Sequence, residues 1–181
     1  HYDGSIITQY SLRIAPLVFV RPGELRHAKW ADIDLEKGRW EYIPPKTKKK
    51  TGVSHIVPLS PQVIQMLKEL AEITQANSEY VFPALTSWER PMSENTINQA
   101  LRRLGYTSEE ACGHGFRASA RTILEEVLEY PVEWIEQQLA HKVRDMHGTA
   151  YNRTKHLDKR TEMMQAWAKD CDDIKLVHEK K

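Results

Sequence analysis

A mainly helical α+β domain carrying one small antiparallel three-stranded sheet is the fold class this sequence predicts. Three observations lead there. Apolar residues recur at helical spacing through most of the chain, short strand-like runs bounded by turn residues are confined to the stretch between Ala31 and Ser60, and 181 residues suit a single unit that buries its own core.

The opening segment places Ile6, Ile7, Tyr10, Leu12, Ile14 and Leu17 in a spacing that fits a buried helix better than alternation does. Pro22, directly after Arg21, opens a second helix, since proline is tolerated in a first helical turn. ADIDLEKGRWEYIP reads as two short strands around a Lys37-Gly38 turn, and VSHIVPLS as a third, with the lysine-rich KTKKKTG as the second turn. Ser60 and Pro61 start a helix with Val63, Ile64, Leu67, Leu70, Ala71 and Ile73 on its apolar face. YVFP is a short extended piece. MSENTINQALRRLGY reads as a helix that Ser93 caps and Gly105 stops, with Ile97, Leu101 and Leu104 as its stripe. FRASARTILEEVL, VEWIEQQLA and, after Leu157, KRTEMMQAWAKD supply the last helices.

Composition narrows the function. Cys112 and Cys171 are too few and too far apart for a cysteine-based zinc site, and their spacing suggests no bridge. No stretch reaches the apolar length of a membrane span, and no cationic leader opens the chain, so a soluble intracellular protein is expected. The formal net charge of +1 argues weakly against a surface wrapped wholly in nucleic acid. Positive charge nevertheless gathers in KTKKK, ALRRLGY, GFRASAR and AYNRTKH, and negative charge in LEEVLEYPVEWIE and KDCDD. That segregation allows one basic face. The chain begins at His1 without an initiator methionine, so a fragment of a longer protein is expected.

Two arginines stand where helix starts are expected, against the usual preference for anions there. Arg21 precedes Pro22, and Arg117 follows the Gly113 to Gly115 entry into a new helix. A guanidinium beside free helix-start amides would converge with the dipole on one oxyanion, and a phosphate is the natural occupant. Each feature also has a plainer reading. An arginine there pairs readily with Glu24 or lies on the surface; His114 and Arg117 form a common His-x-x-Arg; His141 suits a helix end; the lysines suit a solvated hairpin tip; Tyr151 suits a half-buried packing role.

Their order is more informative than any one of them. VRPGELRHAKWADIDL, KTGVSHIVPLS, GHGFRASARTIL and QLAHKVRDMHGTAYNR resemble, in sequence order, the first arginine box, the lysine hairpin, the His-x-x-Arg box and the closing box of the tyrosine recombinases. PMSENTINQALRRLGY, AYNRTKHLDKR and MMQAWA are similar to integrases of prophages and genomic islands. The resemblance runs from about Tyr10 to about Asp172, with LVFV standing before Arg21 where a Thr-Gly turn is commoner in the family.

The resemblance implies a helical tyrosine-recombinase catalytic domain over residues 1–181, its upstream DNA-binding domains absent, with 157–181 a C-terminal helix and tail. It implies Arg21, Lys50, His114, Arg117, His141 and Tyr151 as catalytic residues, with Lys48 an alternative to Lys50. Glu24 becomes a supporting acid, and Lys46, Lys48, Lys49 and Arg153 DNA contacts. Tyr151 would attack phosphorus to give a 3′-phosphotyrosine, the arginines and histidines would stabilise the added charge, His114 would serve as base, and Lys50 would protonate the leaving 5′ oxygen. No metal or other cofactor is needed. The implied partners are double-stranded DNA attachment sites, a homotetramer on DNA and a directionality factor, in a bacterial cytoplasm at the nucleoid and away from membranes. Leu157, Met164, Trp167, Cys171 and Ile174 form a stripe that either docks on a neighbouring protomer or packs on its own domain. The competing readings are a type IB topoisomerase, a non-catalytic DNA-binding relative, and a metal-dependent nuclease built on His114, His141, His147 and His156. The last lacks clustered carboxylates and a zinc-like spacing.

Overall fold

The structure, a computed structural model, describes residues 2–45, 52–141 and 156–179. Among these residues the chain runs α1 (Ile6–Val18), α2 (Pro22–Arg26), a 3-10 turn (Trp30–Asp32), β1 (Ile33–Asp34), β2 (Arg39–Tyr42) and β3 (His55–Pro58). It continues through α3 (Pro61–Thr74), β4 (Pro83–Ala84), β5 (Ser87–Pro91), α4 (Thr96–Arg103), α5 (Gly115–Glu126), α6 (Val132–Gln138) and α7 (Leu157–Glu179). The fold is mainly helical, as the apolar spacing predicts.

The expected sheet is present, antiparallel in the order β1-β2-β3, with Trp40 opposite Val57 and Tyr42 opposite His55. Its first turn uses Gly38 at φ +62°, a conformation that glycine adopts without penalty. Ser60 caps α3 by accepting from the Val63 amide at 3.4 Å. Two expectations need correction. β4 and β5 pair as a second, two-stranded sheet; the strand SWERP has no fully buried residue and no alternation by which to be recognised. Helix α4 begins at Thr96 with Asn95 in the cap position, while Ser93 only closes the preceding turn by accepting from the Asn95 amide.

Two apolar clusters organise the core. The larger joins α1 and α3 to the three-stranded sheet and to Ile97 and Leu101 of α4. The second lies under α5, α6 and α7, where Ala120, Leu124, Ile135, Leu139, Met163, Met164 and Trp167 enclose Phe19. Phe19 ends α1 in the left-handed region at φ 33°. A non-glycine residue there costs about 1–2 kcal/mol. The offset comes from burial: the ring is fully enclosed and meets Trp167 edge-on at a centroid distance of 6.1 Å. Phe19 and Val20 thus make without glycine the turn that leads into Arg21.

Helix α7 takes the second of the two courses open to its apolar stripe. Leu157, Met164 and Trp167 are buried against their own domain and Cys171 is half-buried, while Ile174 is exposed together with Leu176 and Val177. Trp167 donates from Nε1 to the Pro16 carbonyl at 2.9 Å. Arg160, 2% exposed, donates to Gln138 Oε1 and to the Ile56 carbonyl, tying α7 to both α6 and β3. Truncation after His156 would therefore remove part of the core.

Replacing Phe19 with alanine keeps the strained backbone and deletes the ring that compensates for it. We expect a loss of about 3–5 kcal/mol in urea-unfolding stability; a change below about 1 kcal/mol would show that the ring does not hold this turn.

Candidate active site

Arg117 enters from the first turn of α5 and is 5% exposed. Its Nη1 donates to the Phe19 carbonyl at 2.7 Å and its Nη2 to the Leu139 carbonyl at 2.8 Å. Phe19 is the C-cap of α1 and Leu139 the C-cap of α6. A cation is favoured there, because carbonyls left free at a helix end form the negative pole of its dipole. Sequence reading considered only the start of its own helix, whereas Arg117 is held in place by the ends of two others. Nη2 also lies 3.2 Å from His141 Nε2. A guanidinium has five N–H donors, so Nε and the second Nη1 proton are left for a further acceptor among the described residues.

Arg21 stands at the N-cap position of α2, where Pro22 starts the helix. Its Nη1 pairs with Glu24 Oε1 at 2.9 Å, and its backbone N–H donates to Glu24 Oε2 at 3.1 Å. The pairing that the plainer reading allowed is thus real. It does not isolate Arg21. The buried Glu24 also accepts from the Tyr42 hydroxyl at 2.8 Å, which links α2 to β2.

Arg21 lies close enough to Arg117 to act on its ionisation. Burial first, and then the positive charge of Arg21, lower the pKa of Arg117, with Glu24 opposing. Tyr42 is pushed well above the ordinary phenol range by burial and by the Glu24 charge, against the pull of Arg21 and Arg117. It is a neutral donor and no nucleophile. The ring of His55, packed edge-on against Tyr42, donates from Nε2 to the Gln138 carbonyl at 3.1 Å. Burial, followed by the Arg160 charge, holds its pKa down at about 3.

His141 follows Ala140, itself left-handed at φ 51°, and places Nδ1 2.6 Å from Glu136 Oε2. His114 is the N-cap residue of α5 and is exposed. Arg21, Glu24, Arg117 and His141 are therefore brought together. Lys46, Lys48, Lys49, Lys50, Tyr151 and Arg153 lie outside the described residues, as does His147. No group of three or more metal-ligating side chains occurs among the described residues.

Tyr42, His55, Glu136, Gln138 and Arg160 are the members of this network that sequence reasoning missed. Tyr42 and His55 looked like ordinary strand residues. Glu136 had a signal: it precedes His141 by five residues, and Arg121, which binds it at 2.9 Å, follows Arg117 by one helical turn.

Fold and arginine pair together define a helical domain in which two guanidinium groups and a histidine converge near the ends of α1 and α6 and the starts of α2 and α5. A family model described as the Phage integrase family matches residues 4–157. The chain is 41% identical over 180 residues to the integrase of Enterobacteria phage P4, an alignment covering 92% of this chain and 40% of that relative. The chain thus spans less than half of the relative's length. In fold it is similar to the lambda integrase catalytic core, with a TM-score of 0.56 at 20% identity over 77% of this chain and 86% of that one. A lambda integrase tetramer bound to a Holliday junction gives a TM-score of 0.55 at 20% identity, covering 79% of this chain and 41% of that one. The chain belongs to the phage integrase family.

The depressed pKa of His55 sets a pH dependence. The folded state keeps the ring neutral down to about pH 3, whereas an unfolded histidine takes up its proton near 6.5. The unfolded state binds the extra proton between those values, so His55 makes stability fall as pH drops from about 6.5 towards 3. Urea unfolding at a series of pH values should show this slope, and His55→Gln should flatten it by up to one proton; an unchanged slope would place the linkage elsewhere.

Proposed function

We propose that this chain is the catalytic domain of a tyrosine-type site-specific recombinase that integrates or excises a prophage or genomic island. The observation that carries the reading is the convergence of Arg21, Arg117 and His141 in a member of the phage integrase family. Two cations held within mutual repulsion gain most from an anion placed between them, and a phosphodiester offers two nonbridging oxygens to share. The supporting contacts keep them oriented before substrate arrives, which is what electrostatic catalysis requires.

In this reading the Tyr151 phenol oxygen attacks phosphorus, and its proton passes to His114. The bond from phosphorus to the deoxyribose 5′ oxygen breaks as Lys50, or Lys48 in its place, delivers a proton to that oxygen. The product is a 3′-phosphotyrosyl ester and a free 5′ hydroxyl. Arg21, Arg117 and His141 bind the charge that develops on the nonbridging oxygens, and Glu24 orients Arg21. Bond energy is conserved in the ester, so religation needs no nucleotide and no metal. Lys46, Lys48, Lys49 and Arg153 would contact the duplex.

Full recombination on this account uses double-stranded attachment sites and four protomers, with a directionality factor choosing between integration and excision. A lambda integrase tetramer on a Holliday junction, similar in fold, supports that assembly. The protein would act at the bacterial nucleoid. No helix of the described residues is long and apolar enough to cross a membrane. A type IB topoisomerase shares the strand chemistry, but membership of the phage integrase family favours recombination.

A nicked duplex carrying the attachment site, incubated with the protein in EDTA, should give a covalent adduct on a denaturing gel. Tyr151→Phe should abolish the adduct and keep DNA binding, and Arg117→Ala should slow its formation on the order of 100 to 1000-fold. An adduct that survives Tyr151→Phe, or one that requires a divalent metal, would overturn the proposal.

A further inference from the structure

We propose that Glu136 is a positioning residue that fixes the orientation and the tautomer of His141 beside Arg117. The inference rests on the recombinase reading, but its geometry does not. Glu136 lies near the end of α6, where Arg121 holds it: Arg121 Nε donates to Glu136 Oε1 at 2.9 Å while its Nη1 binds Glu125 at 2.7 Å. Arg121 and Arg117 are one helical turn apart on α5, so one helix face supplies both the anchor of Glu136 and the partner of His141.

The protonation of the ring follows from what its neighbours can do. An ionised carboxylate only accepts, so His141 Nδ1, 2.6 Å from Glu136 Oε2, must carry hydrogen. A guanidinium only donates, so His141 Nε2, 3.2 Å from Arg117 Nη2, must present its lone pair. In the neutral ring these two contacts place the hydrogen on Nδ1. Burial raises the pKa of Glu136, but the hydrogen bonds from His141 and Arg121 outweigh it, and the carboxyl stays ionised.

Glu136 and Arg117 thus hold the two ring nitrogens of His141, one each, and fix how the ring is presented beside the two arginines. Among the described residues, the charged groups placed around the ring are Arg117 and Arg121 of α5 and Glu136 of α6, with Arg21 and Glu24 beyond Arg117.

The test reads the ring directly. In the uniformly 15N-labelled 181-residue chain, at a pH where the His141 ring is neutral, two-bond 1H-15N correlations should show Nδ1 protonated and Nε2 bare. Glu136→Ala should move the ring towards the Nε2-protonated form that imidazole favours in water, and Glu136→Asp should restore part of the original pattern. A wild-type ring protonated mainly at Nε2, or a Glu136→Ala spectrum unchanged at His141, would overturn the proposal. In the adduct assay Glu136→Ala should lower the cleavage rate about 10–100-fold, the range typical of residues that orient a functional ligand, with DNA affinity unaltered. A wild-type chain that forms no adduct would count against the recombinase reading, while the ring spectrum decides the role of Glu136 separately.

Discussion

A buried guanidinium cannot exist in a protein interior without partners, and the partners of Arg117 lie where two helices end. An unpaired charge of this kind costs several kcal/mol even after relaxation. Here the C-cap carbonyls of α1 and α6 supply what water would have supplied. Moving either helix end would strip a hydrogen bond from the cation, so α1, α5 and α6 meet in one arrangement. The left-handed turn at Phe19 belongs to the same constraint, since it ends α1 at the residue whose carbonyl Arg117 needs. Strain at that residue is offset by the burial of its ring, not by the site.

From that fixed point the charges are arranged in pairs. Glu24 orients Arg21 and takes the Tyr42 hydroxyl, while Glu136 orients His141 and takes Arg121. The repulsion between Arg21 and Arg117 is therefore moderated without being cancelled. Behind them, His55 and Arg160 converge on Gln138 from opposite directions, one through its carbonyl and the other through its side chain. Helix α7, which follows the segment bearing Tyr151, is in this way referenced to the same α6 end that holds Arg117.

What could be read from the sequence is what local patterning encodes. The helices, the first hairpin, the proline entry into α2 and the arginine and histidine positions all leave marks within a few residues of themselves. The hairpin of β4 and β5 does not, because its short strands show no alternation of buried and exposed positions. The direction of Arg117 could not be read either: the helix-start rule describes the amides next to it, while the carbonyls that hold it are 98 and 22 residues away in sequence. His55 and Tyr42 became part of the site through strand pairing and long-range packing. The apolar stripe of α7 was visible, but whether it faces its own domain is settled by tertiary contacts such as Trp167 on Phe19. The departure at LVFV shows the same limit, since a turn that usually calls for glycine is made here by a phenylalanine whose compensation lies in three other helices.

The central claim is that Arg21 and Arg117 are preset to grip one tetrahedral oxyanion. Crystals of the protein soaked in tungstate, a phosphate-shaped ion with a strong anomalous signal, test it without DNA. The account predicts an anomalous peak between the two guanidinium groups, within hydrogen-bonding distance of both, and the loss of that peak in Arg117→Ala. Tungstate bound elsewhere, with Arg117 held by protein groups alone and Arg21 turned only towards Glu24, would contradict it.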